Sequence, residues 1–258
     1  MTEVLEDSGI WLYAVARREN AGAAGELRGV AGEALRAVEA GELAAVVGDV
    51  PLETFGEEAL HRNLEDLDWL GAVARAHDAV VGALAGAGPV VPVRLATVYR
   101  DEHGVRRVLE HRGHELARTL DRVAGRTEWG VKVFLEEPPP AGRAETPSRR
   151  GAGTAYLARR RAERDARADA ERLAREQAAK VHSRLAALAA GARLHPLQSK
   201  ALSGDDQQMV LNAAYLVGDD HARAFAEAVA ACDDDSPAIR VQLTGPWPPY
   251  SFSSLEET

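Results

Sequence analysis

The sequence predicts an α+β protein in which two domains are joined by a linker, and three observations lead to this prediction. Short runs of β-branched and aromatic residues alternate with longer segments whose apolar residues recur every three or four positions. A segment rich in proline, glycine and charge interrupts this pattern at residues 136–154. A stretch of strong helix formers without glycine or proline follows at residues 155–190. We therefore expect an N-terminal mixed α/β sandwich, a linker, a ferredoxin-like C-terminal domain and a tail, over residues 1–137, 138–154, 155–244 and 245–258.

The N-terminal half is predicted to contain strands and two amphipathic helices. Residues 10–16 form a continuous apolar run, which is typical of a buried strand. Residues 35–50 predict a hairpin around a turn at Gly41. Further along, helical spacing predicts two helices and each is followed by a strand; these four elements cover residues 56–84, 89–99, 101–124 and 129–135.

The C-terminal half is predicted to begin with one long helix over residues 155–190. Its large apolar residues lie in the second half only, so we expect only that half to pack; they are Leu173, Val181, Leu185 and Leu188. Three strands and a second helix follow, and we place the strands at 192–202, 207–217 and 236–244 and the helix from Asp219 to Cys232. The order helix, strand, strand, helix, strand is that of a ferredoxin-like sandwich with one element displaced.

Composition indicates a cytoplasmic protein without a membrane span. No apolar run reaches the roughly 18 residues that a membrane helix needs, and the first residues are acidic where a signal peptide would be basic. The single cysteine, Cys232, has no partner for an internal disulfide, which fits a reducing compartment. The formal net charge of −9 argues against a general nucleic-acid coat.

Motifs of common enzyme classes are absent from the sequence. It contains no P-loop, no nucleophile elbow, no zinc-protease helix motif and no dinucleotide fingerprint after a strand. His111 and His114 are spaced to share a helix face and a metal ion, but a third ligand is lacking nearby, and we interpret them as solvated. We therefore expect no catalytic residues, no cofactor, no metal site and no small-molecule substrate, although an enzyme on a ferredoxin-like scaffold is a third class of function.

A basic cluster lies early in the predicted long helix. Between residues 149 and 184 there are 11 basic and 5 acidic residues. Arg159, Arg160 and Arg161 can hold phosphates or an acidic partner through their guanidinium groups. Neighbouring acidic residues at helical spacing also allow a solvated, self-paired face. The alternative function is a regulatory or nucleic-acid-binding module that uses this helix.

A stiff aromatic segment lies near the end of the sequence. Prolines at positions 246, 248 and 249 fix the backbone, and Trp247, Tyr250 and Phe252 carry large rings that lose little entropy on binding. Such a segment can dock on its own protein or on a partner. We predict that these three aromatic residues and the three arginines bind a partner.

Six segments carry a family resemblance. They are WLYAV at 11–15, PVVPVRLATVY at 89–99, EWGVKV at 128–133, GTAYL at 153–157 with the following arginines, MVLNAAYLV at 209–217 and TGPWPPYSF at 244–252. In this order they resemble the GvpL/GvpF family of gas vesicle proteins. The resemblance spans nearly the whole chain, and several ordered matches are more specific than any one.

The resemblance implies a two-domain protein with a ferredoxin-like C-terminal domain and a tail that packs toward the N-terminal domain. It also implies a non-enzymatic role in gas vesicle formation, in which the protein binds the small hydrophobic shell protein GvpA or other accessory proteins in the cytoplasm or at the gas vesicle. The protein would act as a chaperone or as a minor structural component. No nucleic-acid or membrane partner is implied. F-type and L-type roles both remain open, as do the oligomeric state and retention in the finished vesicle.

Overall fold

Two antiparallel sheets and the helices around them make up the protein. The computed structural model describes residues 7–136, 152–198 and 207–253. Contacts divide the chain into two units, which we describe separately. The first unit runs to Glu128 and also includes the residues from Pro246 onward, and the second unit is Trp129–Gly245.

The first unit contains a five-stranded sheet among its described residues. Its strands are β1 (Ser8–Arg17), β2 (Leu35–Ala40), β3 (Leu43–Pro51), β4 (Val90–Pro92) and β5 (Val98–Tyr99). The order across the sheet is β2-β3-β1-β4, and β5 also pairs with β1. All of these pairings are antiparallel. The predicted first strand is confirmed, and it is buried along almost its whole length because it lies inside the sheet.

The hairpin of β2 and β3 is also confirmed. Ala40 pairs with Leu43, so Gly41 and Glu42 alone form the turn. Gly41 has φ +61. A two-residue turn with a positive φ at its first central position is of type II′, which favours glycine there.

The single strand predicted over residues 89–99 is two short strands. The chain leaves the sheet after Pro92 and returns at Val98, and Ala96 between them has φ +65. The Thr97 hydroxyl donates to the Arg94 carbonyl at 2.8 Å and stabilises this bend. The prediction was wrong here because β-branched composition does not reveal a left-handed residue.

Four α-helices and a 3-10 helix complete the described part of the first unit. The 3-10 helix is Arg18–Ala24, and the α-helices are α1 (Leu52–Phe55), α2 (Glu57–Asn63), α3 (Leu67–Ala87) and α4 (Glu102–Val123). The helix predicted over 101–124 is confirmed as α4. Its first turn is capped by the Asp101 side chain, which accepts from the Gly104 N–H at 2.8 Å.

The helix predicted over 56–84 is broken, so that prediction was wrong. The Asp66 side chain accepts hydrogen bonds from the N–H groups of Asp68 and Trp69, at 2.9 and 3.2 Å, and caps the start of α3. The break places Leu64 and Leu67 on the surface, with 36% and 79% of their area exposed.

Helices cover both faces of the first sheet. Successive residues of β1 point to opposite faces. Trp11 belongs to a buried cluster that includes Val80 of α3, and Leu12 belongs to another that includes Leu116 of α4. The first unit is therefore layered as helix, sheet and helix.

The second unit contains a four-stranded sheet among its described residues. Its elements, in chain order, are β6 (Arg126–Leu135), α5 (Ala152–Ala186), β7 (Gly191–Leu194), β8 (Met209–Gly218), α6 (Ala222–Asp234) and β9 (Ile239–Trp247). The order across the sheet is β7-β8-β6-β9. Side chains from β6, β8 and β9 share one buried cluster with α5 and α6.

The observed division of the chain differs from the predicted domains. Strand β6 contributes Val131, Val133 and Leu135 to the core of the second unit, whereas we placed residues 129–135 in the N-terminal domain. The units divide near residue 128 because β6 pairs with β8 and β9. Of the predicted linker, residues 138–151 lie outside the described residues, and α5 begins at Ala152.

Helix α5 is one long helix, as predicted, and only its C-terminal half packs. The buried residues recur every three or four positions and are Ala174, Ala178, Val181 and Leu185. Leu173 and Leu188, which we predicted on this face, are 43% and 47% exposed. Leu173 lies about 100° around the helix from the buried Ala174, and Leu188 lies beyond the end of α5 at Ala186.

Other boundaries in the second unit also differ from prediction. Strand β7 ends at Leu194, well before residue 202, and residues 199–206 lie outside the described part of the chain. Helix α6 begins at Ala222, three residues after the predicted start at Asp219. The last strand begins at Ile239 and extends to Trp247.

Candidate functional site

The first candidate region is the tail, which we define as residues 246–253. It comprises the end of β9 and one turn of 3-10 helix, Tyr250–Phe252. That turn is closed by the N–H of Tyr250, which donates to the Pro248 carbonyl at 2.8 Å, and by the N–H of Phe252, which donates to the Pro249 carbonyl at 3.1 Å. The prolines therefore fix a short, locally closed conformation.

Burial holds the tail in the first unit. Phe252 and Ser253 are only 5% and 4% exposed. The half-buried Tyr250 packs against the cluster that contains Trp11 and Tyr13. Two of the three aromatic residues predicted to bind a partner therefore contribute to the core of their own protein.

Hydrogen bonds to carboxylates hold the same segment. The Tyr250 hydroxyl donates to Asp78 at 2.8 Å. The N–H and hydroxyl of Ser251 donate to the two oxygens of the buried Glu128 carboxylate, at 2.7 and 2.6 Å. Burial, and then the bond to Asp78, raise the pKa of Tyr250. Hydrogen bonds to charged acceptors are stronger than neutral ones, so these contacts fix the position of the tail.

Two further hydrogen bonds involve the end of the tail. The Arg122 guanidinium donates to the Phe252 carbonyl. The Ser253 hydroxyl donates to the Pro92 carbonyl at 3.2 Å. The backbone carbonyl of the buried Phe252 therefore accepts a hydrogen bond from a charged group, the Arg122 guanidinium.

Trp247 behaves differently from the other two aromatic residues. It is 53% exposed, although it is the largest side chain of the tail. A large exposed aromatic ring beside an anchored segment can contact a partner without any rearrangement.

The second candidate region is the first half of α5. All residues from Tyr156 to Asp169 are exposed. Arg159 forms an ion pair with Glu163 at 2.8 Å, and the hydrogen bond to Glu163 raises the pKa of Arg159. The Arg160 guanidinium lies 5.9 Å from the centre of the Tyr156 ring. Arg161 makes no ion pair with any described residue.

Ion pairs within the helix continue along α5. Pairs three or four residues apart join Arg167 to Glu171, Arg172 to Asp169 and Glu176, and Arg175 to Glu171. These pairs stabilise the exposed faces of a helix whose first half has no packing of its own. They favour the self-paired, solvated alternative for most of the cluster. Among its described residues, Arg160, Arg161 and Lys180 make no ion pair.

The anchoring groups of the tail were missed by sequence reasoning. Asp78, Arg122 and Glu128 are ordinary charged residues of a helix or a strand, and periodicity gives no sign that they meet a segment more than 100 positions away. Glu128 begins one of the six segments that carry the resemblance, which was the only available signal.

A buried histidine was also missed. His77 is 1% exposed, and its ring accepts a hydrogen bond from the Trp11 indole at 3.1 Å and donates to the Val93 carbonyl at 3.1 Å. Burial lowers the pKa of His77 and favours the neutral ring. Both ring nitrogens are occupied by the protein, so this histidine holds the core together and has no free position for chemistry.

The described residues contain neither a metal site nor a membrane-spanning helix. His111 and His114 lie on α4, and the described residues contain no group of three potential ligands that can hold a metal ion. Among the helices of the described residues, none combines the length and the apolar character that crossing a bilayer requires.

Similarity to known proteins covers the full length of the fold. The model of the family described as gas vesicle synthesis protein GvpL/GvpF matches residues 9–254. Gas vesicle protein L of Streptomyces sp. (strain CB03234) is 41% identical over 96% of this chain and 93% of its own length. Gas vesicle protein F of the same strain is 26% identical over 94% of this chain and 98% of its own length.

A solved structure shares the fold. The crystal structure of the gas vesicle protein GvpF from Anabaena sp. PCC7120 matches with a TM-score of 0.65 at 17% identity, over 97% of this chain and 98% of that one. The resemblance in the six sequence segments is thereby confirmed. This chain belongs to the gas vesicle synthesis protein GvpL/GvpF family.

Proposed function

We propose that the protein is a non-enzymatic accessory protein of gas vesicle assembly, which binds the shell protein GvpA and other accessory proteins in the cytoplasm while vesicles form. One observation carries this proposal: the family match runs from residue 9 to residue 254. The relatives are named as gas vesicle proteins and are matched over almost their entire length.

The L-type role is the one that identity supports. Two relatives from a single Streptomyces strain allow a direct comparison, in which protein L is 41% identical to this chain and protein F is 26% identical. Because both come from one organism, the difference between the two identities supports the L type. The chain is therefore an L-type component in this proposal.

A physical reason for such a protein lies in the chemistry of the shell. A subunit that coats a gas space exposes apolar surface before it assembles, and exposed apolar surface aggregates. A soluble partner that covers this surface keeps the subunit available. This is the chaperone-like part of the proposal.

Two separate surfaces are the candidates for partner binding. The candidate surface on the first unit is the exposed ring of Trp247, while Tyr250 and Phe252 act as anchors that hold the tail. On the second unit it is the exposed face of α5 with Arg159, Arg160 and Arg161. We distinguish binding residues from anchors by burial, because a partner can contact exposed side chains without any unfolding of the protein.

The second unit is the ferredoxin-like domain of this proposal. Its chain order β-α-β-β-α-β supports this assignment, and the displaced element of the prediction is β6. In the sheet the first and third strands, β6 and β8, lie between the second and fourth, β7 and β9.

Co-expression with a GvpA-type shell protein tests the proposal. We expect the chain to retain the shell protein in a pull-down and to increase its soluble fraction. Trp247→Ala tests the first surface, and the triple replacement of Arg159, Arg160 and Arg161 by alanine tests the second. Loss of binding in one variant only assigns the site to that surface.

Matched controls separate a binding site from a general loss of exposed groups. Leu67→Ala removes another exposed apolar side chain of the first unit. The triple replacement of Arg164, Arg167 and Arg172 by alanine removes equal charge from the same helix. Absence of any association, under conditions in which gas vesicle protein L of Streptomyces binds the shell protein, would refute the proposal.

A further inference from the structure

An open groove of about 630 Å³ lies in the first unit, between the tip of the β2–β3 hairpin and one side of α4. Its volume is in the range of sites that hold a small molecule or a protruding side chain. The groove includes Glu110 and Gly113, two residues of the polar segment around the histidines of α4. It shares no residue with the tail or with the arginine cluster.

The floor of the groove is apolar. Its partly exposed apolar surface comes from Ala40, Gly113 and Ala117, while Leu43 and Leu109 are only 4% and 2% exposed. Apolar atoms on the floor favour a ligand with an aliphatic portion.

Gly113 is not explained by packing. A Cβ added to it would meet only a Leu43 methyl group, at 3.9 Å, which is ordinary van der Waals contact. Glycine within a helix is less stable than alanine, and Gly113 is in the middle of the 22-residue helix α4. Alanine would fit and strengthen the helix, so the missing side chain serves to keep the floor open.

Both arginines at the rim are already occupied. The Arg17 guanidinium lies 2.6 Å from the Asp121 carboxylate and 3.2 Å from that of Glu42. The Arg106 guanidinium lies 2.7 Å from the Glu102 carboxylate and donates to the Glu39 carbonyl at 2.6 Å. Their positive charge is therefore compensated by the protein itself, which disfavours an anionic ligand.

Glu110 leaves a negative charge at the rim. Its side chain is exposed, and it makes no ion pair with any residue that the structure describes. The Glu39 carboxylate also lines the groove, but it lies 3.4 Å from the Arg18 guanidinium and is paired with it. The free charge of the groove is thus negative, above an apolar floor.

We propose that this groove binds a lysine or arginine side chain of a partner polypeptide. The aliphatic stem lies along the partly exposed Ala40, Gly113 and Ala117, and the cationic end reaches Glu110. Long basic side chains commonly cover apolar surface with their stems while their charge stays at the water boundary. Opposite charge at the rim then selects this ligand over an apolar or acidic one.

Titration with tetralysine peptide at low ionic strength tests the proposal. Binding is monitored by NMR through the chemical shifts of the backbone amides. We expect shifts concentrated at Gly41, Glu110 and Gly113. Glu110→Gln keeps the shape and should weaken binding about threefold. Gly113→Leu fills the groove and should weaken tetralysine binding about tenfold. Gly113→Ala fits the available space and should weaken binding less. The alanine variant serves as the test if the leucine variant misfolds.

A control carboxylate and two control ligands make the result decisive. Glu57→Gln removes an exposed acid of α2 outside the groove and should change nothing. Tetraglutamate should give no shift in the groove. Shifts spread over the acidic surface, equal weakening by Glu57→Gln, or spermidine binding in the groove more tightly than tetralysine would each overturn a polypeptide site.

Discussion

The tail and the first half of α5 differ in what keeps them ordered. The tail is held by burial of Phe252 and by hydrogen bonds to residues far away in the sequence, such as Glu128. Residues 156–169 of α5 are exposed and are held by ion pairs between neighbouring turns. Order in the tail therefore depends on the fold of the first unit, whereas order in the helix is local. Substitutions in the two regions should differ sharply in their effect on stability.

Phe252→Ala is the largest expected disruption. Removal of a buried ring leaves a cavity and should lower the free energy of unfolding of the first unit by about 3–5 kcal/mol. Hydrogen exchange of the β1 amides, which lie inside the first sheet, measures this loss. Trp247→Ala, in the exposed part of the same tail, is the matched control and should cost less than about 1 kcal/mol. Equal losses would show that burial does not distinguish the two rings.

Glu128→Gln should have the next largest effect. The change removes the negative charge that accepts two hydrogen bonds from Ser251, and we expect a loss of about 1.5–3 kcal/mol. Ser251→Ala removes only the hydroxyl and should cost less, because the N–H of residue 251 still reaches Glu128. Hydrogen exchange of the residue 251 amide provides a second measurement. If Glu128→Gln unfolds with the same free energy as the wild type, the charge of the carboxylate does not hold the tail.

Tyr250→Phe should cost about 1 kcal/mol. The ring keeps its packing, and only the hydrogen bond to Asp78 is lost. The double variant with Asp78→Asn completes a mutant cycle. A purely additive result would mean that the two side chains do not interact in solution.

The triple replacement of Arg159, Arg160 and Arg161 by alanine should have the smallest effect. All three side chains are exposed, and alanine is the best helix former. We expect the unfolding temperature to change by less than about 1 °C. Val181→Ala, on the packed half of the same helix, should lower it clearly. A large fall in the unfolding temperature of the arginine variant would show that these side chains make stabilising contacts in the folded protein.

Sequence patterns predicted the elements that are long or fully buried. Strand β1, helix α4 and helix α5 were found where periodicity placed them, because each follows a single period over many residues. Breaks inside an element were not predicted. Leu64 and Leu67 fit the apolar period of one long helix, and only the Asp66 cap separates α2 from α3.

Long-range partners explain the other differences. Whether residues 129–135 belong to one sheet or another depends on which strands pair with them, and that information lies more than 70 positions away in β8 and β9. The same holds for the tail, whose aromatic residues were identified but whose division into anchors and an exposed ring follows from Glu128 and Asp78. The groove was not predicted, although Glu110 and Gly113 flank the histidines that the sequence analysis considered.

The discontinuity of the first unit has a consequence for synthesis on the ribosome. Residues 129–245 are translated between the body of this unit and the segment from Pro246 that completes it. Glu128 can acquire its bonds to Ser251 only after the entire second unit has left the exit tunnel. Closure of the first unit is therefore a late event, and it distinguishes a chain translated past Ser251 from any shorter nascent product.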